Sequence, residues 1–192
     1  MAISAFSIFY NLSRIAFKNN DLYWGFRFLA RSIHFIQDLT QPQYTLPAPQ
    51  NIVMKEIKDI RSFTIMCVNH HTILEDYYQA TQIKNSSEEY IKVLREAKPA
   101  KINNPYKAAL VATTRSRKLI GNLWKEMENF FGVELSAKKR FKITQEELQV
   151  LLSNPAKQES RVKLDQTVLT ALNLFSSYSK GLIEYAKKDL KF

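Results

Sequence analysis

Along most of this chain the apolar positions recur at helical rather than strand spacing. In residues 2–18, Ile3, Phe6, Tyr10 and Phe17 fall near one face, which predicts an amphipathic helix. Asn19 and Asn20 stop it, and Asn20 or Asp21 can cap the next helix by accepting a hydrogen bond from its free amides. Leu22, Phe26, Leu29, Ile33 and Ile36 then step by four and three, one buried stripe. This second helix must end before Pro42, because the residue ahead of a proline avoids helical angles. Residues 41–50 hold Pro42, Pro47 and Pro49 and read as an extended connector. From residue 51 to 84 the pattern is helical again, with Val53, Ile57, Ile60, Thr64 and Cys67 along one face.

A short helix is expected from Ser87 to Lys98, closed by Pro99. Asn104 and Pro105 read as an N-cap and first-turn proline, opening a helix that runs to Phe131 and stops at Gly132. Ala109, Ala112, Leu119, Leu123, Met127 and Phe130 form its buried side. Thr144 and Glu147 make a capping box ahead of a short helix to Ser153. The last helix, from Glu159 to Leu190, buries Val168, Leu172, Phe175, Leu182 and either Ile183 or Ala186. The expected fold is all-α: one domain over residues 1–192, a single bundle of about six helices.

Composition supports this picture. With 45% hydrophobic residues the chain has enough apolar surface for a core, and 4 glycines and 6 prolines suit long helices better than a many-stranded sheet. One cysteine, Cys67, excludes an intramolecular disulfide framework. The apolar start is broken by Asn11, Ser13 and Arg14 and lacks a basic leader, so it reads as a retained helix, not a signal peptide. The compartment implied is reducing and cytoplasmic. No apolar run approaches the roughly 20 residues of a membrane span. The formal charge of +10 favours an anionic partner: phosphate esters, nucleic acid or an acidic membrane surface.

Candidate chemistry lies among the three histidines, at 34, 70 and 71. His34 precedes Asp38 by four residues, and His71 precedes Glu75 by four. On a helix each such pair shares a face, so an imidazole and a carboxylate can reach one metal ion. The same spacing also makes an ordinary surface ion pair. His70 has Leu74 at the matching position and is at most an accessory group, second to the ligands or on the surface. Cys67 lies four residues before His71 and can extend that stripe as a thiolate, or sit in the core. Lys138, Lys139, Arg140 and Lys142 form a basic run suited to phosphate, and Arg115, Arg117 and Lys118 form another. The chain has no Gly-rich phosphate loop and no paired-cysteine zinc motif.

The run RSIHFIQDLTQPQYT, residues 31–45, resembles a segment of the zinc-dependent phospholipase C and single-strand nuclease superfamily. That segment reads His-x-x-x-Asp, a proline, then a second histidine six residues after the aspartate. His34, Asp38 and Pro42 match, and Tyr44 stands where the second histidine would be. NHHTILEDYYQ, residues 69–79, is similar to the family's His-x-x-x-Glu segment, with His71 and Glu75 in the ligand places. The resemblance covers about residues 9–79 and assigns the metal-site half to residues 1–84, with additional helices in 85–192. It implies zinc ions that bind phosphate oxygens and activate water for attack on phosphorus. In that scheme His34 and Asp38 hold one part of the cluster, with Asp38 bridging two ions, and His71 and Glu75 hold another.

The match is incomplete. The family's upstream ligands include two histidines and an aspartate, whereas residues 1–33 hold no histidine and only Asp21, which capping explains. A phenol of pKa near 10 makes Tyr44 a poor zinc ligand at neutral pH. About two protein ligands remain for each ion, unless a second copy or a partner chain completes the site. Three readings follow: a binding or structural module with a reduced metal site, an active zinc phosphodiesterase acting on phospholipid or nucleic acid, or a basic helical protein that contacts nucleic acid or a membrane surface.

Overall fold

Ala2–Lys18 forms α1 and Leu22–Asp38 forms α2, and the turn between them shows why the sequence bends there. Asn20 takes φ +57°, a left-handed conformation that asparagine tolerates better than most residues. Its neighbour Asp21 donates its amide to Ala16 O, and its carboxylate accepts from Trp24 N at 3.1 Å, closing one helix and capping the next. Small residues then let the pair close tightly: Ser13 Oγ donates to Gly25 O at 2.8 Å, and Ser32 Oγ to Phe6 O at 3.3 Å.

The structure, a computed structural model, describes residues 2–84 and 88–192, and is all-helical among them. After α2 come α3 (Pro42–Thr45), α4 (Gln50–Glu56), α5 (Ile60–Tyr78), α6 (Glu88–Glu96), α7 (Pro105–Arg117), α8 (Ile120–Phe131), α9 (Gln145–Ser153) and α10 (Gln158–Leu190). A π-helical stretch, Gln79–Lys84, continues α5, and 3-10 turns cover Val133–Ser136 and Pro155–Lys157.

Helix ends follow the expected chemistry at several places. Asn104 caps α7 through Lys107 N, and Thr144 and Glu147 form the reciprocal capping box of α9. Gly132 ends α8 at φ +111°, a region that favours glycine. Other boundaries differ. Pro42 opens a helical turn instead of lying in an extended connector, since proline fits the first turn, where no amide partner is needed. The helix expected over 51–84 breaks after Glu56, and Asp59 recaps the chain by accepting from Ser62 N at 3.1 Å. The helix expected over 105–131 is interrupted at Lys118 and Leu119, which keep near-helical angles. The expected start at Ser87 lies outside the described residues.

Two compact units are present, each assembled from separated stretches of chain. The first comprises Met1–Thr45, Val93–Lys118 and Ala171–Phe192; the second comprises Leu46–Lys92 and Leu119–Thr170. In the first, Phe6 and Tyr10 of α1, Leu29 and Ile36 of α2, Ala109 and Ala112 of α7, and Tyr178, Leu182 and Ala186 of α10 form one buried cluster. Each fully buried Phe, Leu or Ile there contributes about 1.5–3 kcal/mol. Two hydrogen-bonded elements frame it. Lys180 Nζ donates to Leu94 O, Arg95 O and Ala97 O at 2.8, 2.7 and 3.0 Å, closing the C-terminal end of α6. Ala100 N donates to Ser177 O at 2.9 Å, so the segment after α6 lies directly on α10. That approach requires Gly181, where a Cβ would stand 2.2 Å from Ala100 O.

The second unit buries Phe63, Met66, Ile73, Leu74 and Tyr77 of α5 with Leu123, Trp124, Met127 and Phe130 of α8. Asp165 of α10 gathers two tyrosine hydroxyls: Tyr77 donates to Oδ1, and Tyr90 donates to the same oxygen at 2.5 Å. Arg161 Nε lies 3.7 Å from Oδ2. Burial above all raises the pKa of both phenols far above the ordinary tyrosine range, reinforced at Tyr77 by Tyr90 and then Asp165, and at Tyr90 by Asp165.

Candidate functional site

The two histidine–carboxylate pairs form as the spacing predicts, one in each unit. In the first, His34 Nε2 is 3.6 Å from Asp38 Oδ2, with the imidazole largely exposed. Partial burial raises the Asp38 pKa, and His34 pulls it back down. In the second, His71 Nε2 is 3.0 Å from Glu75 Oε1, a hydrogen-bonding distance. Both are helix-face histidine–carboxylate contacts of the i,i+4 kind. Tyr44 is half exposed on α3. Among the described residues, no three His, Cys, Asp or Glu side chains gather where one metal ion would touch them all.

Cys67 lies half buried, and desolvation pushes its thiol up to about 11, the opposite of what a thiolate ligand needs. His70 is a core residue rather than a surface group. Its ring stacks on Trp124 with centroids 3.4 Å apart and an interplanar angle of 15°. Nδ1 lies 3.0 Å from Met66 O, while the buried Nε2 has no hydrogen-bond partner and stands 4.0 Å from Glu128 Oε1. Glu128 is already occupied, accepting from Trp124 Nε1 at 3.2 Å and from Ser136 Oγ.

Burial lowers the His70 pKa to about 4 from the usual 6.5, outweighing the bond to Met66 O. The folded state therefore stays neutral while the unfolded chain takes a proton. Its contribution to stability is intact above pH 6.5 and is lost as pH falls toward 4, by up to about 3 kcal/mol. Thermal melts from pH 7 to pH 4 should show the parent losing stability faster than His70→Phe, which keeps an aromatic ring on Trp124 but cannot ionise. Parallel loss in the two proteins would mean that His70 accepts a proton inside the fold.

The basic run 138–142 is held in place by one buried side chain. Asn69 Nδ2 donates to Leu135 O at 3.2 Å and Lys139 O at 2.9 Å, and its Oδ1 accepts from Phe141 N at 3.0 Å. Lys138 is engaged, 3.6 Å from Asp59 Oδ2 and 4.0 Å from Glu56 Oε2. Lys139, Arg140 and Lys142 are exposed.

Charge divides unequally between the units. The first carries 15 of the 28 lysines and arginines and 5 of the 18 acidic residues, a balance of +10; the second carries 13 of each and is neutral. A groove of about 430 Å³ in the first unit is lined by Lys101, Lys107 and Arg115, with Ile102 and Val111 as apolar walls. Tyr178, only 4% exposed, also lines it. Burial raises the Tyr178 pKa while the Arg115 guanidinium lowers it, so the phenol stays a donor beside a fixed cation. Among the described residues none of these three cations is in an ion pair. Reading by basic clusters picked out Arg115 but passed over Lys101 and Lys107, which are isolated in sequence. The signal that finds them is the absence of opposing charge: no Asp or Glu occurs between Glu96 and Glu126.

No protein-family model, curated protein or solved structure matches this chain.

Proposed function

We propose that this protein is a binding module, related in fold to the zinc-dependent phospholipase C and nuclease superfamily, whose ligand is an anionic, phosphate-bearing partner taken up by the first unit. The observation that carries the reading is the charge division: the whole formal excess of +10 belongs to that unit. Its groove offers three cations with no ion pair among the described residues, and a buried phenol, a set of donors for phosphate oxygens beside apolar walls. His34 with Asp38 and His71 with Glu75 remain as the trace of a metal site, each pair short of the three or four ligands that hold zinc firmly. Metal-assisted hydrolysis is accordingly the second reading, kept for the tests to exclude.

Chromatography on phosphocellulose tests the binding reading directly. The parent should elute only at high salt, and Lys101→Glu/Lys107→Glu/Arg115→Glu should elute much earlier. Lys139→Glu/Arg140→Glu/Lys142→Glu makes the same change in net charge in the neutral unit and should shift elution less. Equal shifts would mean that only overall charge matters and would defeat the assignment to the first unit. The second reading is tested by elemental mass spectrometry and turnover of bis(p-nitrophenyl) phosphate with added zinc. Zinc-dependent turnover that disappears in His34→Ala would replace the binding module with a hydrolase.

A further inference from the structure

The α1–α2 hairpin ends in side chains that a water-soluble turn has no reason to display. Leu22, Tyr23, Trp24 and Phe26 are 58, 62, 47 and 46% exposed, in the first turn of α2 and the residue after it. The stripe read from sequence assigned Leu22 and Phe26 to the core, and the structure instead turns them outward while Leu29 and Ile36 go in. Ile15 of α1, also exposed, lines a shallow groove of about 360 Å³ with Leu12, Trp24 and Phe28. Phe26 is not loose: it meets Phe17 at 5.0 Å and Phe192 at 4.9 Å edge-on, and Phe17 stacks on Phe192 at 5.2 Å. The patch is a built surface with fixed rings.

Cations border it. Arg27 Cζ lies 5.5 Å from the Tyr23 ring centre and 5.7 Å from that of Trp24, and its Nη1 donates to Tyr23 Oη at 2.8 Å. Lys18 at the end of α1, Arg31 one turn beyond Arg27, and Lys191 beside Phe192 are exposed. Among the described residues none of these four is in an ion pair. The sole acidic group at the turn, Asp21, is committed to capping α2.

We infer that this hairpin tip docks on an anionic lipid bilayer, with Leu22, Tyr23, Trp24 and Phe26 entering the headgroup–acyl boundary and Lys18, Arg27, Arg31 and Lys191 resting on lipid phosphates. The mixture of groups selects the partner. A single-stranded nucleic acid rewards stacked rings and phosphate contacts, neither of which Leu22 and Ile15 provide. A bilayer interface takes all three kinds: tyrosine and tryptophan at headgroup level, aliphatic chains just below, and cations on the anionic surface. The contact is peripheral; no helix among the described residues is long and apolar enough to cross a membrane.

This inference rests on the anion-binding reading and narrows its partner to lipid. The chain carries its own probe: of its two tryptophans, Trp24 is at the tip while Trp124 is 4% exposed in the second unit. The parent is mixed with phosphatidylcholine vesicles, with and without phosphatidylserine, while emission and co-sedimentation are followed. With phosphatidylserine the emission should shift to the blue and the protein should sediment; Trp24→Phe should sediment without the shift. Leu22→Glu/Phe26→Glu, both at exposed positions, should bind at least about tenfold more weakly, having lost the burial of two large apolar side chains. Unchanged circular dichroism will show that it still folds. No sedimentation of the parent, or equal binding by the double variant, overturns the inference. Failure on vesicles with retention on phosphocellulose removes the lipid partner and leaves the anion-binding reading; failure on both removes both.

Discussion

Asp165→Ala should destabilise the protein by about 4 kcal/mol, because two hydrogen bonds to a charged acceptor are each worth about 1.5–3 kcal/mol and both are lost together. The substitution leaves the hydroxyls of Tyr77 and Tyr90 without their acceptor in a buried setting, and takes from Arg161 the carboxylate 3.7 Å away. Asp165→Asn keeps an oxygen in place and should lose roughly half as much, since neutral acceptors are weaker. The triple variant Asp165→Leu/Tyr77→Phe/Tyr90→Phe removes donors and acceptor at once and should be more stable than Asp165→Ala, although it changes more side chains. Urea unfolding followed by circular dichroism measures all three. If Asp165→Ala came within about 0.5 kcal/mol of the parent, the level of an ordinary surface change, the carboxylate would not be the tie between these helices.

Asn69→Ala should cost about 3 kcal/mol, the sum of three modest hydrogen bonds and the desolvated backbone groups they leave behind. Asn69 is fully buried, and its three bonds reach Leu135, Lys139 and Phe141, segments more than sixty residues away in sequence. Removing it frees two carbonyls and one amide in the stretch that carries the basic run. Hydrogen exchange at Phe141 should speed up strongly in the variant, while the amides of α1 and α2 keep their protection. Asn69→Asp is the sharper probe: it retains an acceptor for Phe141 N but presents oxygen, without a donor, to two carbonyls. If Asn69→Asp proved as stable as the parent, the two donated bonds would be shown to contribute nothing.

Legibility in the sequence followed the reach of the interactions. Local ones were readable: the Asn-Asn-Asp turn, the Asn104–Pro105 start, the Thr144 capping box and the Gly132 stop all appear where short-range chemistry puts them. The all-α class followed from the same signals. Periodicity failed where a helix broke without proline or glycine. Asp59 recaps the chain, so Ile57, Ile60 and Thr64, expected along a buried face, are exposed while Phe63, Met66 and Ile73 go in. It failed again at Leu22 and Phe26, because regular spacing marks one face of a helix but not how far along that face the core extends. The His34–Asp38 and His71–Glu75 pairs were legible as pairs, since four-residue spacing on one helix is a local matter. The tertiary contacts were not legible. His70 on Trp124, Asn69 on Phe141 and Tyr178 beside Arg115 each join residues far apart in sequence, and no pattern within one helix announces them.

The close approach at Gly181 bears on how this chain tolerates change. Helix propensity alone would favour alanine there by about 1 kcal/mol, yet a methyl group would meet Ala100 O at 2.2 Å. The constraint is one-sided: position 100 meets Gly181 through its backbone, which every residue but proline can supply, whereas position 181 meets it through the absence of a side chain. In a library of all substitutions, 181 would be a column with one survivor, beside the exposed Ile183 and Glu184, where many residues pass. Position 181 would then stay glycine whatever stands at 100, and a search for correlated substitutions would miss this packing contact.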